Sequence, residues 1–125
     1  MLDRNIDRDA RRIVVLAVPP SEELDIVGPW DVFATANNAV RGRKRGYNLE
    51  LVTTGDRRSF QCNSGLTLSA KYRYKEVQGG VDTLIVTGGA GALTSHNRSV
   101  LDWIRKIARK TRRMCCNFQG GWLVT

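Results

Sequence analysis

The chain has 125 residues, 42% of them hydrophobic, which is enough for one core and too short for two full domains. Its longest apolar runs, Ile13 to Val18 and Leu84 to Val86, fall far short of the roughly 20 residues that cross a bilayer. The formal net charge of +8 admits an anionic partner, but the basic residues are spread over a leader, a loop, a hairpin region and a helix, the pattern of solvated faces.

Residues 1–11 mix Arg4, Arg8 and Arg11 with Asp3, Asp7 and Asp9 and lack the apolar centre of a secretory signal, so a flexible leader is expected before a domain over residues 12–125. Cys62, Cys115 and Cys116 form an odd set with two neighbours, which argues against a disulfide framework and for a reducing, cytoplasmic setting. No cysteine spacing is a zinc pattern, and the single histidine, His96, reads as a surface loop residue, so no metal and no cofactor is expected.

In chain order, Ile13-Val-Val-Leu-Ala-Val18 is a continuous β-branched run, the signature of a strand covered on both faces in a parallel sheet. After Pro19-Pro20, Asp25 falls in a turn. Pro29 suits a first helical position, so a helix is expected to start there and to bury Val32, Phe33, Ala36 and Val40. Tyr47 to Thr53 reads as a second strand and Leu66 to Ala70 as a short one; Lys71, Arg73 and Lys75 fall in a hairpin region. Val81 to Thr87 repeats the β-branched run and stops at Gly88-Gly89. Ser99 is the expected N-cap of a helix carrying Leu101, Ile104, Ile107 and Ala108 on its apolar stripe, with its cations toward the C-terminal end. Arg113 to Phe118 reads as a last strand, followed by Gln119-Gly120-Gly121 and a first helical turn at Trp122 to Thr125. Cys115 and Cys116 are expected as buried strand filler, and Trp30 and Trp103 as residues packing helices onto the sheet.

Strands alternating with helices make an α/β domain: three layers, flavodoxin-like, with a mostly parallel sheet and helices on both faces. In such sheets ligands bind beyond the carboxyl ends of the strands. The Asp25 turn, Gly88-Gly89 and Phe118-Gln119-Gly120 converge there.

Four stretches, Arg12 to Leu16, Leu24-Asp-Ile-Val-Gly-Pro-Trp-Asp-Val-Phe33, Ser64 to Leu68 and Asp82 to Gly89, resemble the ThiJ/PfpI branch of the class I glutamine amidotransferase-like superfamily. Within it the chain is most similar to the N-terminal sensor domain of GlxA-type AraC-family transcriptional regulators. The resemblance implies that Asp25 stands where the family has an acidic residue facing a cysteine at a strand-to-helix elbow. It also implies that Gly88 and Gly89 lend backbone amides to an anion pocket. At the elbow the chain departs: Phe118 occupies the cysteine position, and a phenyl ring offers no nucleophile.

The expected site is therefore a ligand-binding crevice of Asp25, Gly88, Gly89, Phe118, Gln119 and Gly120 with no catalytic residue. Resembling domains continue through further strands and then helix-turn-helix units, so the chain is expected to be incomplete at its C-terminal end. The leading expectation is a non-catalytic sensor domain that binds a small ligand and forms a homodimer, with DNA reached only through a helix-turn-helix region absent from the chain. A cysteine-dependent hydrolase or hydratase of the superfamily is the alternative, and a basic nucleic-acid-binding domain the second one.

Overall fold

The computed structural model describes residues 10–39, 46–88 and 97–117. The strand β1, Arg11–Ala17, is the centre of the molecule, and Ile13 to Ala17 are all buried. It begins one residue inside the segment expected as leader. Parallel neighbours flank it: β2, Tyr47–Thr53, on one side and β6, Thr83–Thr87, on the other. A strand hydrogen-bonded on both edges and covered on both faces has no polar position to spare, which is why its sequence does not alternate. The edges of this five-stranded sheet are β5, Tyr72–Arg73, beside β2, and β7, Arg113–Asn117, beside β6. The order is β5-β2-β1-β6-β7, all pairs parallel. A separate antiparallel pair, β3 (Ser59–Gln61) and β4 (Thr67–Ser69), forms a hairpin.

Alternate residues of each strand serve two cores. Ile13, Val15, Leu51 and Ile85 pack beneath helix α1, Glu23–Ala39, and the hairpin residues Phe60 and Cys62. Val14, Leu16, Val52, Leu84 and Val86 pack beneath helix α2, Arg98–Ala108. Trp30 and Trp103 lie against these two cores as expected.

Several local expectations change. Helix α1 starts at Glu23, so Pro29 lies inside it and Asp25 in its first turn rather than in a preceding loop. Glu23 and Asp25 complement the positive helix end, and Gly28 has no Cβ to clash with the Pro29 ring, which removes the main objection to helical backbone before proline. The earlier start rotates the buried stripe to Ile26, Trp30 and Phe33, leaving Val32 67% exposed; Val40 lies outside the described residues. Asn97, not Ser99, caps α2: its Oδ1 accepts from the Ser99 amide at 2.9 Å. The region of Lys71, Arg73 and Lys75 is not a hairpin but the short parallel strand β5 running into a 3-10 turn, Tyr74–Glu76. Leu66 is half exposed and precedes its strand. Cys115 and Cys116 are exposed rather than buried filler, because β7 is an edge strand among the described residues.

At the amino-terminal end of the sheet, Arg12 ties three segments together. Its guanidinium pairs with Glu50 of β2 at 2.8 Å and donates to the carbonyls of Gln78 and Gly80. Gly79, at φ +82°, makes the left-handed turn that brings those carbonyls round. No helix among the described residues is long and apolar enough to cross a membrane.

Candidate functional site

The carboxyl ends of β1 and β6 are adjacent, because Leu16 pairs with Val86 and the Thr87 hydroxyl donates to the Leu16 carbonyl at 2.8 Å. The chain leaving β1 turns into α1 across this junction. The Glu22 amide donates to the Gly88 carbonyl at 3.0 Å, and the Gly88 amide hydrogen-bonds the Asp25 carboxylate. The structure thus brings together two of the expected site residues, Asp25 and Gly88. Gly89, Phe118, Gln119 and Gly120 lie outside the described residues, as do His96 and the Trp122 to Thr125 turn.

The same turn gathers residues not expected at the site. Ser21 forms a bridge with Cys62 of the hairpin, and the Asn63 amide donates to the Ser21 carbonyl at 2.8 Å. The Asn63 side-chain amide reaches Glu22 at 3.4 Å, and Ser64 hydrogen-bonds the Glu23 carboxylate through its side chain and its backbone. The hairpin therefore docks on the first turn of α1. Two oxygens shielded from solvent, Ser21 Oγ and Glu23 Oε2, make no hydrogen bond among the described residues. Ser21, fully buried, has a hydroxyl without a partner there, so this turn carries unspent hydrogen-bonding capacity. The Ser64 to Leu68 stretch contributed to the resemblance, but nothing in its composition announced contact with Glu23, which lies 41 residues away in the chain.

Electrostatically the two carboxylates of this turn diverge. Burial raises the Asp25 carboxyl above its ordinary range, the neighbouring Glu22 charge adds to that, and the Gly88 amide opposes both. Glu23 is lowered, chiefly by the Ser64 hydrogen bond. The site thus offers one carboxyl that holds its proton more readily and one that stays anionic. Two thiols move the wrong way for nucleophiles: burial pushes Cys62 up, reinforced by Glu23 and Glu22, and partial desolvation of the otherwise exposed Cys116, followed by Cys115, pushes it up. Among the described residues no group of three or more His, Cys, Asp and Glu side chains is placed to hold a metal ion.

A mostly parallel sheet with helices on both faces and a polar junction beyond its carboxyl ends defines an α/β, flavodoxin-like domain. Residues 11–123 match the model of the DJ-1/PfpI family, and the chain belongs to that family. No curated protein matches it in sequence. Among solved structures it is similar to a candidate protease I from Bacteroides thetaiotaomicron, at 18% identity and TM-score 0.73 over 91% of this chain and 66% of that one. It is also similar to Drosophila melanogaster DJ-1beta, at 16% identity and TM-score 0.68 over 86% of this chain and 54% of that one. An AraC family transcriptional regulator from Pseudomonas putida matches at 21% identity and TM-score 0.57 over 74% of this chain and 54% of that one. The chain thus spans less than two thirds of the length of each. One fold carries three differently described proteins, so the fold leaves the activity open.

Proposed function

We propose that this DJ-1/PfpI domain is a regulatory module of an AraC-type, GlxA-like transcriptional regulator that holds a small polar ligand beside Asp25 and Gly88 without transforming it. The observation that carries the reading is the Gly88 amide held against the Asp25 carboxyl beyond the ends of β1 and β6, in a junction where burial, Glu23 and Glu22 disfavour the thiolate of nearby Cys62. The sequence supports it, since Phe118 stands at the position where the resemblance places a cysteine. The unpaired oxygens of Ser21 and Glu23 at the same turn fit a ligand that brings hydrogen-bond donors. A structural likeness to an AraC family regulator agrees with the reading, and the cytoplasm is the setting it requires. Homodimerisation belongs to the same proposal: Leu24 and Val27 lie exposed on α1 beside Val32, a stripe that a second copy would cover.

The test combines thiol reactivity with binding. Iodoacetamide at pH 7 should label the exposed Cys115 and Cys116 slowly and the buried Cys62 more slowly still, with no fast, selectively reactive thiol. Small amides and carboxylates should shift the Gly88 amide resonance, and Asp25→Ala should remove the shift. Fast labelling of one thiol, together with amide or carbonyl turnover lost when that cysteine is replaced by alanine, would make the protein a cysteine enzyme instead.

A further inference from the structure

The two sheet-covering helices differ in charge. Helix α1 contains no Lys or Arg, and the acids Glu22, Glu23, Asp25 and Asp31 lie on or beside it. Helix α2 covers the opposite sheet face, carries Arg105 and Lys106 in its last turn against the single Asp102, and is followed directly by Arg109 and Lys110. Because α2 leads from the carboxyl end of β6 to the amino end of β7, its last turn falls at the amino-terminal end of the sheet. There it meets Arg112 and Arg113, and Arg11 at the start of β1.

The two acids at that end are already matched. Asp82 receives two hydrogen bonds from Arg112, at 2.9 and 3.2 Å, and Glu50 is held by Arg12. Lys106, Arg109, Lys110 and Arg113 are exposed and make no ion pair among the described residues. The helix dipole accounts for cations in the last turn of α2, but not for those beyond it on β7 and β1. Arg109 and Lys110 lie just past the end of α2 at Ala108, outside its helical turns. Among the described residues no ion pair accounts for the cluster.

We propose that this surface, formed by Lys106, Arg109, Lys110 and Arg113 with Arg11 beside them, docks the phosphate backbone of duplex DNA without reading its sequence. Charge complementarity selects a polyanion. The large exposed apolar residues of the described chain, Leu24, Val27, Val32 and Leu66, lie on α1 and by the hairpin turn, so this end lacks the apolar anchors of a lipid-binding face. It also lacks an exposed aromatic platform for unpaired bases, since Trp103 and Tyr74 are packed into the α2 core. The surface lies at the end of the sheet opposite Asp25 and Gly88, so docking leaves that junction open and stands whether or not a ligand binds there.

The experiment is a salt titration of binding by the full chain to a fluorescent random-sequence duplex, read by anisotropy. Each phosphate contact contributes about 0.9 to the slope of log affinity against log salt. Replacing Lys106, Arg109, Lys110 and Arg113 together by Gln should therefore lower the slope by about 3 to 4. Replacing Arg57, Lys71, Lys75 and Arg98 by Gln removes equal charge elsewhere and should leave the slope nearly unchanged. A third variant that exchanges Lys for Arg and Arg for Lys at the four positions should bind as the parent does, which separates charge loss from misfolding. Absence of duplex binding at about 50 mM salt, or equal losses in the two Gln variants, overturns the proposal. So does salt-sensitive self-association abolished both by the first variant and by Glu22→Gln with Asp31→Gln, since that assigns the surface to the acidic helix of a second copy.

Discussion

Removing Arg12 should cost more than any surface ion pair of the molecule, and the structure says why. Its guanidinium is the ionic partner of Glu50, whose side chain retains only 11% of its exposure, and it also satisfies the carbonyls of Gln78 and Gly80. Exposed pairs contribute about 0–1 kcal/mol, whereas stranding a buried charge costs about 3–5 kcal/mol. Residual solvent at Glu50 places Arg12→Ala near the lower end, at about 3 kcal/mol. With an unfolding entropy of about 0.26 kcal/mol/K for a chain of this size, Tm should fall by about 11 °C. The assay is urea unfolding of the parent, Arg12→Ala, Glu50→Ala and the double variant. Once both partners are gone no charge is stranded, so the double variant should be more stable than additivity requires, with a coupling of about 1–3 kcal/mol. Strict additivity, or a loss below about 1 kcal/mol in Arg12→Ala, would show that Glu50 finds water or another partner and that the pair does not hold β1 to β2.

Glu76 is lowered to about 2, first by its hydrogen bonds from Arg58 and the Arg73 amide. A depressed carboxyl contributes stability that is present above its unfolded value near 4.5 and lost as pH falls through about 2. Glu76→Gln should therefore flatten the decline of the urea midpoint within that window. Asp25 has the opposite sign: its raised carboxyl favours the folded state below the unfolded value, and that contribution is lost as pH rises. Asp25→Asn, which keeps an acceptor for the Gly88 amide, should raise Tm at pH 7 relative to the parent and make little difference at pH 3. A Cβ at Gly28 meets open space apart from its chain neighbours, yet Pro29 follows it. Gly28→Ala should therefore destabilise α1 alone and stabilise it, by about 0.5–1 kcal/mol, only when combined with Pro29→Ala; thermal melts of the single and double variants check this. Ile104, 1% exposed beneath α2, should cost about 2–5 kcal/mol as Ile104→Ala, measured by denaturant unfolding.

The layered architecture was legible in the chain because β1 and β6 are β-branched runs without polar interruption, and only a parallel sheet covered on both faces accepts such runs in succession. Asp25 and Gly88 were legible as members of one crevice through the strand-end rule and the resemblance, but not as each other's hydrogen-bond partners. Helix α1 was misjudged because Pro29 argued locally for a start, while Ile26 packing on the sheet and the acids of the first turn carried the helix back to Glu23. The role of Ser64 at Glu23 was invisible: a hydroxyl that bonds a carboxylate 41 residues away leaves no periodic mark in sequence. Composition determined that the protein is basic and apolar enough to bury a hydrophobic interior. Only the tertiary structure decided that α1 with its acids and α2 with its cations cover opposite faces, because that depends on which side of the sheet each crossover helix takes.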